Sequence, residues 1–296
     1  MPPPRMVESI HELRKKVQEP VRAYNDVAGV LVGDRVSIHV TRAFLALGLS
    51  PDVGTIGMLV CGLAGSACLP FGGGWAVLGF ALVFVYYVLD CVDGEVARYR
   101  QVEKLEWGFH DFLFHLYVKS AFFTCLGVYA VLETGRWWAF AFALAALLAT
   151  IFGKALYDAA LVLTARYVLM RTTAERARFT REVLAGSDPA EMERDGDLPG
   201  EQQPFTFGRV PGLARAVLTN FDLSILWFLA AAVIDLFRVP MIVGGVTFDL
   251  KCALLAFYGV VLPLDFLDRL YTYHRTQGFQ RDARRLVRRA HHFRAK

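Results

Sequence analysis

Residues 53–89 read VGTIGMLVCGLAGSACLPFGGGWAVLGFALVFVYYVL and contain no Asp, Glu, Lys or Arg. One membrane crossing takes about 20 apolar residues, so this run is too long for a single pass. Pro70-Phe71-Gly72-Gly73-Gly74 interrupts it with a strong turn signal. The stretch therefore predicts two helices, over 52–69 and 74–98, folded back on one another. Similar apolar segments predict helices over 109–132, 137–166, 218–237 and 249–271. The fourth opens on Trp137-Trp138, an aromatic anchor of the interfacial kind. The sixth has a short uncharged core, and Pro263 should kink it. The expected fold class is all-α, a polytopic membrane protein of six transmembrane helices.

Composition agrees. Of the 296 residues, 55% are hydrophobic and 20% are charged, and the mean hydropathy is +0.38. Soluble domains hold about 45–50% apolar and about 25% charged residues, which argues against an ordinary soluble enzyme and against disorder. The net charge of +4 is mild, and no nucleic-acid face is expected. Five cysteines, all in apolar stretches and without a spacing pattern, do not suggest a disulfide framework. The first residues, MPPPRMVESIHELRKK, lack the apolar core of a signal peptide.

Lys and Arg gather before Asp52, between helices 2 and 3, between helices 4 and 5, and after helix 6. Arg136, Arg238 and Lys251 are left for the opposite side. The positive-inside rule then puts both termini in the cytoplasm. Residues 35–47 mix apolar and polar positions and predict an amphipathic helix lying in the cytoplasmic interface. Residues 8–24 predict a second, largely polar surface helix. The expected organisation is a cytoplasmic helical segment over 1–34 and a membrane domain over 35–273. That domain carries a charged cytoplasmic loop at 171–214, expected to be partly helical at 173–184, and a basic tail follows over 274–296. Arg284, Arg285, Arg288, Arg289 and Arg294 of that tail suit contact with anionic membrane lipids.

Chemistry concentrates at one membrane edge. Asp90 and Asp93 close helix 2, and Asp111 and His115 open helix 3. Spacings of three and four put each pair on one helix face, and the short connection holds the two helices side by side. Three carboxylates and an imidazole therefore converge. Ionisable groups beside hydrocarbon are expensive and usually functional, and oxygen-rich ligation suits Mg²⁺ or Mn²⁺. Gly94 and Ala97, one turn on, would admit a flat ligand such as a nucleobase. Arg98 and Arg100 add donors for phosphate. Asp235 and Asp249, on the far side, read as interface markers.

Asp90-Cys-Val-Asp93-Gly94-Glu-Val-Ala97-Arg98, followed after a loop by Asp111, resembles the signature of the CDP-alcohol phosphatidyltransferases, D-x-x-D-G-x-x-A-R. Ser50-Pro51-Asp52-Val-Gly-Thr55 resembles that family's element before its first transmembrane helix. His115 stands where the family has a fourth aspartate, and Trp107, followed by Gly108, stands at the motif's second glycine. The resemblance spans about 35–270.

The resemblance implies an enzyme of phospholipid biosynthesis. It would transfer a substituted phosphate from a CDP-alcohol such as CDP-diacylglycerol to the hydroxyl of a small alcohol or phospho-alcohol, releasing CMP. It implies Asp90, Asp93 and Asp111 as ligands of two divalent cations, and His115, at the place of the family's proposed general base, can accept a proton or ligate a metal. His115 or Asp111 would take the acceptor proton. Asp52, Thr55, Gly94, Ala97 and Arg98 would bind the nucleotide, and a homodimer is compatible with it. Lys119, Lys154 and Asp158 are candidates for acceptor contact. Asp265, Asp268 and Arg269 read as a rim ion pair or a closure of the site. A non-catalytic relative that binds nucleotide or lipid is an alternative. So is a polytopic transporter, which would spread its acids through the membrane depth.

Overall fold

The structure, a computed structural model, describes residues 8–22, 25, 27–102, 105–169, 210–237, 241–243, 246–276 and 278. Most of the expected loop at 171–214, its helical reading at 173–184 and the basic tail from 279 lie outside the described residues.

The described chain is helical apart from one small hairpin. Its helices are α1 (Ile10–Val17), α2 (Asp34–Leu47), α3 (Pro51–Cys68), α4 (Gly73–Arg100), α5 (Leu105–Thr134), α6 (Ala139–Leu169), α7 (Val210–Thr219), α8 (Phe221–Asp235) and α9 (Leu250–Arg275). Strands β1 (Met241–Val243) and β2 (Val246–Phe248) pair antiparallel between α8 and α9. Five helical segments are long and apolar enough to cross a membrane: Pro51–Phe71, Gly73–Arg100, Gly108–Thr134, Ala139–Leu156 and Leu250–Arg275. The chain is a helical membrane protein on this evidence.

The segment expected as a span over 218–237 differs. Asn220 caps a new helix there by accepting from the Leu223 amide, so α8 is cut off from α7 and has 15 residues. That is about 22 Å of helix at 1.5 Å per residue, short of a bilayer core of about 30 Å.

By contacts the chain forms two units, residues 1–148 with 204–262, and 149–203 with 263–296. In the first, α3 and α4 form a hairpin turned by Leu69–Phe71. A Cβ on Gly65 would lie 2.6 Å from the Gly79 carbonyl oxygen, and one on Gly79 would lie 2.7 Å from that of Gly65. The two backbones touch, the arrangement by which helices pack in membranes without a hydrophobic driving force. Farther along α3, Gly62 faces Val118 of α5. Phe80, Phe122, Phe228 and Tyr258 pack ring against ring, with centroids 5.5–6.0 Å apart, and join α4, α5, α8 and α9.

A second apolar cluster holds the N-terminal helices. Leu13 and Val17 of α1 are fully buried with Ile38 and Leu45 of α2 and Val88, Val92 and Val96 of α4. The segment expected as a polar surface helix is thus one face of a packed core. Ser9 and Glu12 start α1 with a capping box, and Gly48, at φ 72°, ends α2 in the left-handed conformation. In the second unit the described residues include a Phe152–Phe266 ring contact. Arg269 and Asp265 pair there at 2.6 Å. α9 continues through Pro263.

Asp235 and Asp249 are more than interface markers. Lys251, 3% exposed, reaches Asp235 at 2.6 Å and Asp249 at 2.8 Å. Tyr129 donates to Asp249 as well, and the Leu250 and Cys252 amides donate to Asp235 and Asp249. This network ties α5, α8 and the start of α9 together. Burial would raise the Asp249 carboxyl, but the bonds from Lys251 and Tyr129 hold it below the usual range. Its contribution to stability is therefore present at neutral pH and lost as the pH falls through its lowered value.

Two substitutions test this packing. Gly65→Leu should lower the thermal midpoint in detergent by the equivalent of at least about 1–3 kcal/mol. Gly74→Leu, where an added Cβ meets nothing within 4 Å, should change it little. Lys251→Ala strands two buried carboxylates and should cost about 3–5 kcal/mol, read in the same melts.

Candidate functional site

α4 carries Asp90 and Asp93, and α5 carries Asp111 and His115. The structure brings three of them to one point. His115 Nε2 lies 3.0 Å from an Asp90 oxygen and 3.4 Å from an Asp111 oxygen. One ligand atom from each residue falls within 4.8 Å of the other two. The other ring nitrogen, Nδ1, lies 2.5 Å from the hydroxyl of Tyr86, a fully buried residue one turn before Asp90.

Asp93 is not one of these three. Its carboxylate accepts from Thr55 at 2.8 Å, and Gly54 lets α3 approach, since a Cβ there would lie 3.0 Å from the Asp93 Cβ. Thr55, expected on the nucleotide side, is thus buried and bound to a carboxylate expected as a ligand. Asp52 is half-buried one turn earlier, and Ala97 is half-buried on α4. The bare backbone at Gly94 is covered by Arg98, whose Nη1 lies 3.1 Å from the position of an added Cβ. Arg98 Nε donates to the Val17 carbonyl at 2.8 Å, so part of its donor capacity goes to the end of α1.

Lys119 stands one turn past His115, with its ammonium 5.1 Å from the centre of the Phe221 ring. It is near enough for its charge to act on His115. Lys154 and Asp158 lie on the part of α6 that belongs to the second unit.

Several functional-looking groups were not legible from spacing. Glu95, 2% exposed, accepts from Ser37 at 2.5 Å, Thr41 at 2.6 Å and Gln18 at 2.8 Å. It fastens both N-terminal helical segments to α4 two residues after Asp93. Ser37 and Thr41 share a face of α2, which was the available signal. Tyr86 was hidden in an apolar run. Asp222, in the first turn of α8, is near enough for its charge to act on Tyr86 and Cys91.

The donor set fits a hard divalent cation. Two carboxylates and an imidazole nitrogen face one point, with a third carboxylate a turn away, and such ligands suit Mg²⁺ or Mn²⁺. The remaining imidazole nitrogen has the hydrogen-bond partner that metal-bound histidines normally have. The chain matches no known family model and no curated protein.

Near this end, burial and then the charge of Glu95 push the Asp34 carboxyl above the usual range, offset in part by the Asn25 amide at 2.8 Å. A raised carboxyl stabilises the fold fully below its unfolded value of about 3.9 and loses that contribution as pH rises through the folded value. Asp34→Asn should therefore raise the thermal midpoint at pH 7.5, with the gain vanishing near pH 4. Glu95→Gln puts an amide donor among three donors and should cost about 1–3 kcal/mol, measured at pH 7.5.

Proposed function

We propose that the protein is a divalent-cation-dependent CDP-alcohol phosphotransferase of the membrane. It would transfer a phosphatidyl or similar group from a CDP-alcohol, with CDP-diacylglycerol as the favoured donor, to a small alcohol or phospho-alcohol in phospholipid biosynthesis. The observation that carries this reading is the meeting of Asp90, Asp111 and His115 within 4.8 Å, inside the sequence that resembles the family signature. A transporter reading is less well served, because these groups cluster at one end of α4 and α5.

In the proposed reaction the acceptor hydroxyl attacks the β-phosphorus of the donor. The bond from that phosphorus to the CMP oxygen breaks, and CMP leaves with the electron pair. Asp90, Asp111 and His115 would hold one cation, and Asp93 would help to hold a second. Bound cations would neutralise the diphosphate and the departing CMP. The acceptor proton would pass to Asp111, or to His115 if that imidazole is not a ligand. Asp52, Thr55, Gly94, Ala97 and Arg98 would border the cytidine, with Lys119 on the acceptor side.

The charge distribution supports an arrangement with this end and both termini in the cytoplasm. There α2 would lie in the interface, anionic lipids would meet the basic tail, and a lipid donor would keep its chains in the bilayer. α8, apolar and packed on α4, would serve as the sixth, short span. A homodimer would be compatible with this arrangement.

Purified protein incubated with CDP-diacylglycerol, Mn²⁺ and a panel of acceptors should release CMP, and excess EDTA should stop it. Asp90→Asn and Asp111→Asn should each lose several orders of magnitude. His115→Asp should retain activity. His115→Ala should lose on the order of 10²–10⁴-fold if the imidazole is the base; rescue by excess Mn²⁺ marks it instead as a ligand. CMP release that is unchanged in EDTA would refute the reading.

A further inference from the structure

A neutral imidazole carries one N–H and one lone pair, and the partner of one nitrogen decides what the other offers. At His115 that partner is a phenol. Tyr86 is fully buried, its ring meets the His115 ring edge-on at 5.8 Å between centroids, and its hydroxyl sits 2.5 Å from Nδ1. A buried tyrosine hydroxyl needs a hydrogen-bond partner, and this one has it in His115. The tyrosine ring is fixed independently. Gly62 of α3 makes room for it, since a Cβ on Gly62 would lie 3.2 Å from the ring. The hydroxyl is thus presented to Nδ1 by packing, while Nε2 points to Asp90 and Asp111.

A hydroxyl can donate or accept, so it suits either tautomer. When it donates to Nδ1, the imidazole N–H is on Nε2 and is directed at the Asp90 carboxylate. When it accepts from Nδ1–H, the Nε2 lone pair faces the space between the two carboxylates, the form a cation requires.

We propose that Tyr86 is a positioning residue for His115: its hydroxyl fixes the ring with Nε2 toward Asp90 and Asp111 and accepts a hydrogen bond from Nδ1–H when a divalent cation binds there. This rests on the proposed cation site and adds the residue that prepares its nitrogen ligand.

Tyr86→Phe keeps the ring in its packed place and removes only the hydroxyl, which makes it a clean probe. Mn²⁺ affinity of the full chain in detergent, read from the free-Mn²⁺ electron paramagnetic resonance signal, should fall about 10- to 100-fold in Tyr86→Phe. The same change in a His115→Ala background should alter affinity less than about twofold, because the loss acts through the imidazole. Melting curves without Mn²⁺ report whether the fold is retained. Tyr86→Phe with parental affinity, beside a weakened His115→Ala, overturns the proposal and leaves the cation site standing. So does an equal loss in both backgrounds, which would mean that Tyr86 acts through the fold. If His115→Ala binds Mn²⁺ like the parent, or the parent binds none, the cation site falls and the proposal with it.

Discussion

Two carboxylates that face one another at the edge of an apolar bundle repel, and they stay together only if the scaffold holds them there. At Asp90 and Asp111 the imidazole of His115 lies between them, and much of the first unit serves to keep α4 and α5 at that separation. The glycines of α3 are central to this. Gly65 lets α3 touch α4, Gly62 admits Val118 of α5 and the Tyr86 ring, and Gly54 admits Asp93. A glycine-rich face of α3 thus sets the spacing of the two helices that bear the acids.

The two ends of the bundle solve the problem of buried charge differently. At the far end, Lys251 neutralises Asp235 and Asp249 directly, leaving a self-paired network. Near the candidate site, Glu95 is satisfied by the neutral donors Ser37, Thr41 and Gln18, while Asp90 and Asp111 share an imidazole. Two carboxylates that share an imidazole offer donors of the kind a divalent cation takes. The Glu95 bonds and the Arg98–Val17 bond also make α1 and α2 a wall of this end, joined to the apolar cluster beneath.

Much of this was readable from sequence because it is local. The uncharged run over 53–89, broken at Pro70 and the following glycines, specifies the α3–α4 hairpin. Spacings of three and four on α4 and α5 place Asp111 with His115 and aim both helices at one point. What escaped depends on partners far apart in the chain. Glu95 meets Ser37 across 58 positions, and Tyr129 meets Asp249 across 120. The spacing of Ser37 and Thr41 marks a polar face but does not name its partner, and Tyr129–Asp249 leaves no spacing at all. Asp249 looked like an interface marker although Lys251 follows two residues on, because its tyrosine partner belongs to another helix. The helix expected over 218–237 is α8, and its length is set by the cap at Asn220, a local detail that hydropathy alone does not show.

The central claim, that Asp90, Asp111 and His115 form one divalent-cation site, has a direct spectroscopic test. Pulsed electron paramagnetic resonance on Mn²⁺ bound to the protein in lipid nanodiscs reports nitrogen ligands through their hyperfine coupling. The account predicts coupling to a single imidazole nitrogen, absent in His115→Ala and retained in Asp249→Asn. Bound Mn²⁺ without that coupling, or with coupling that survives His115→Ala, would contradict it.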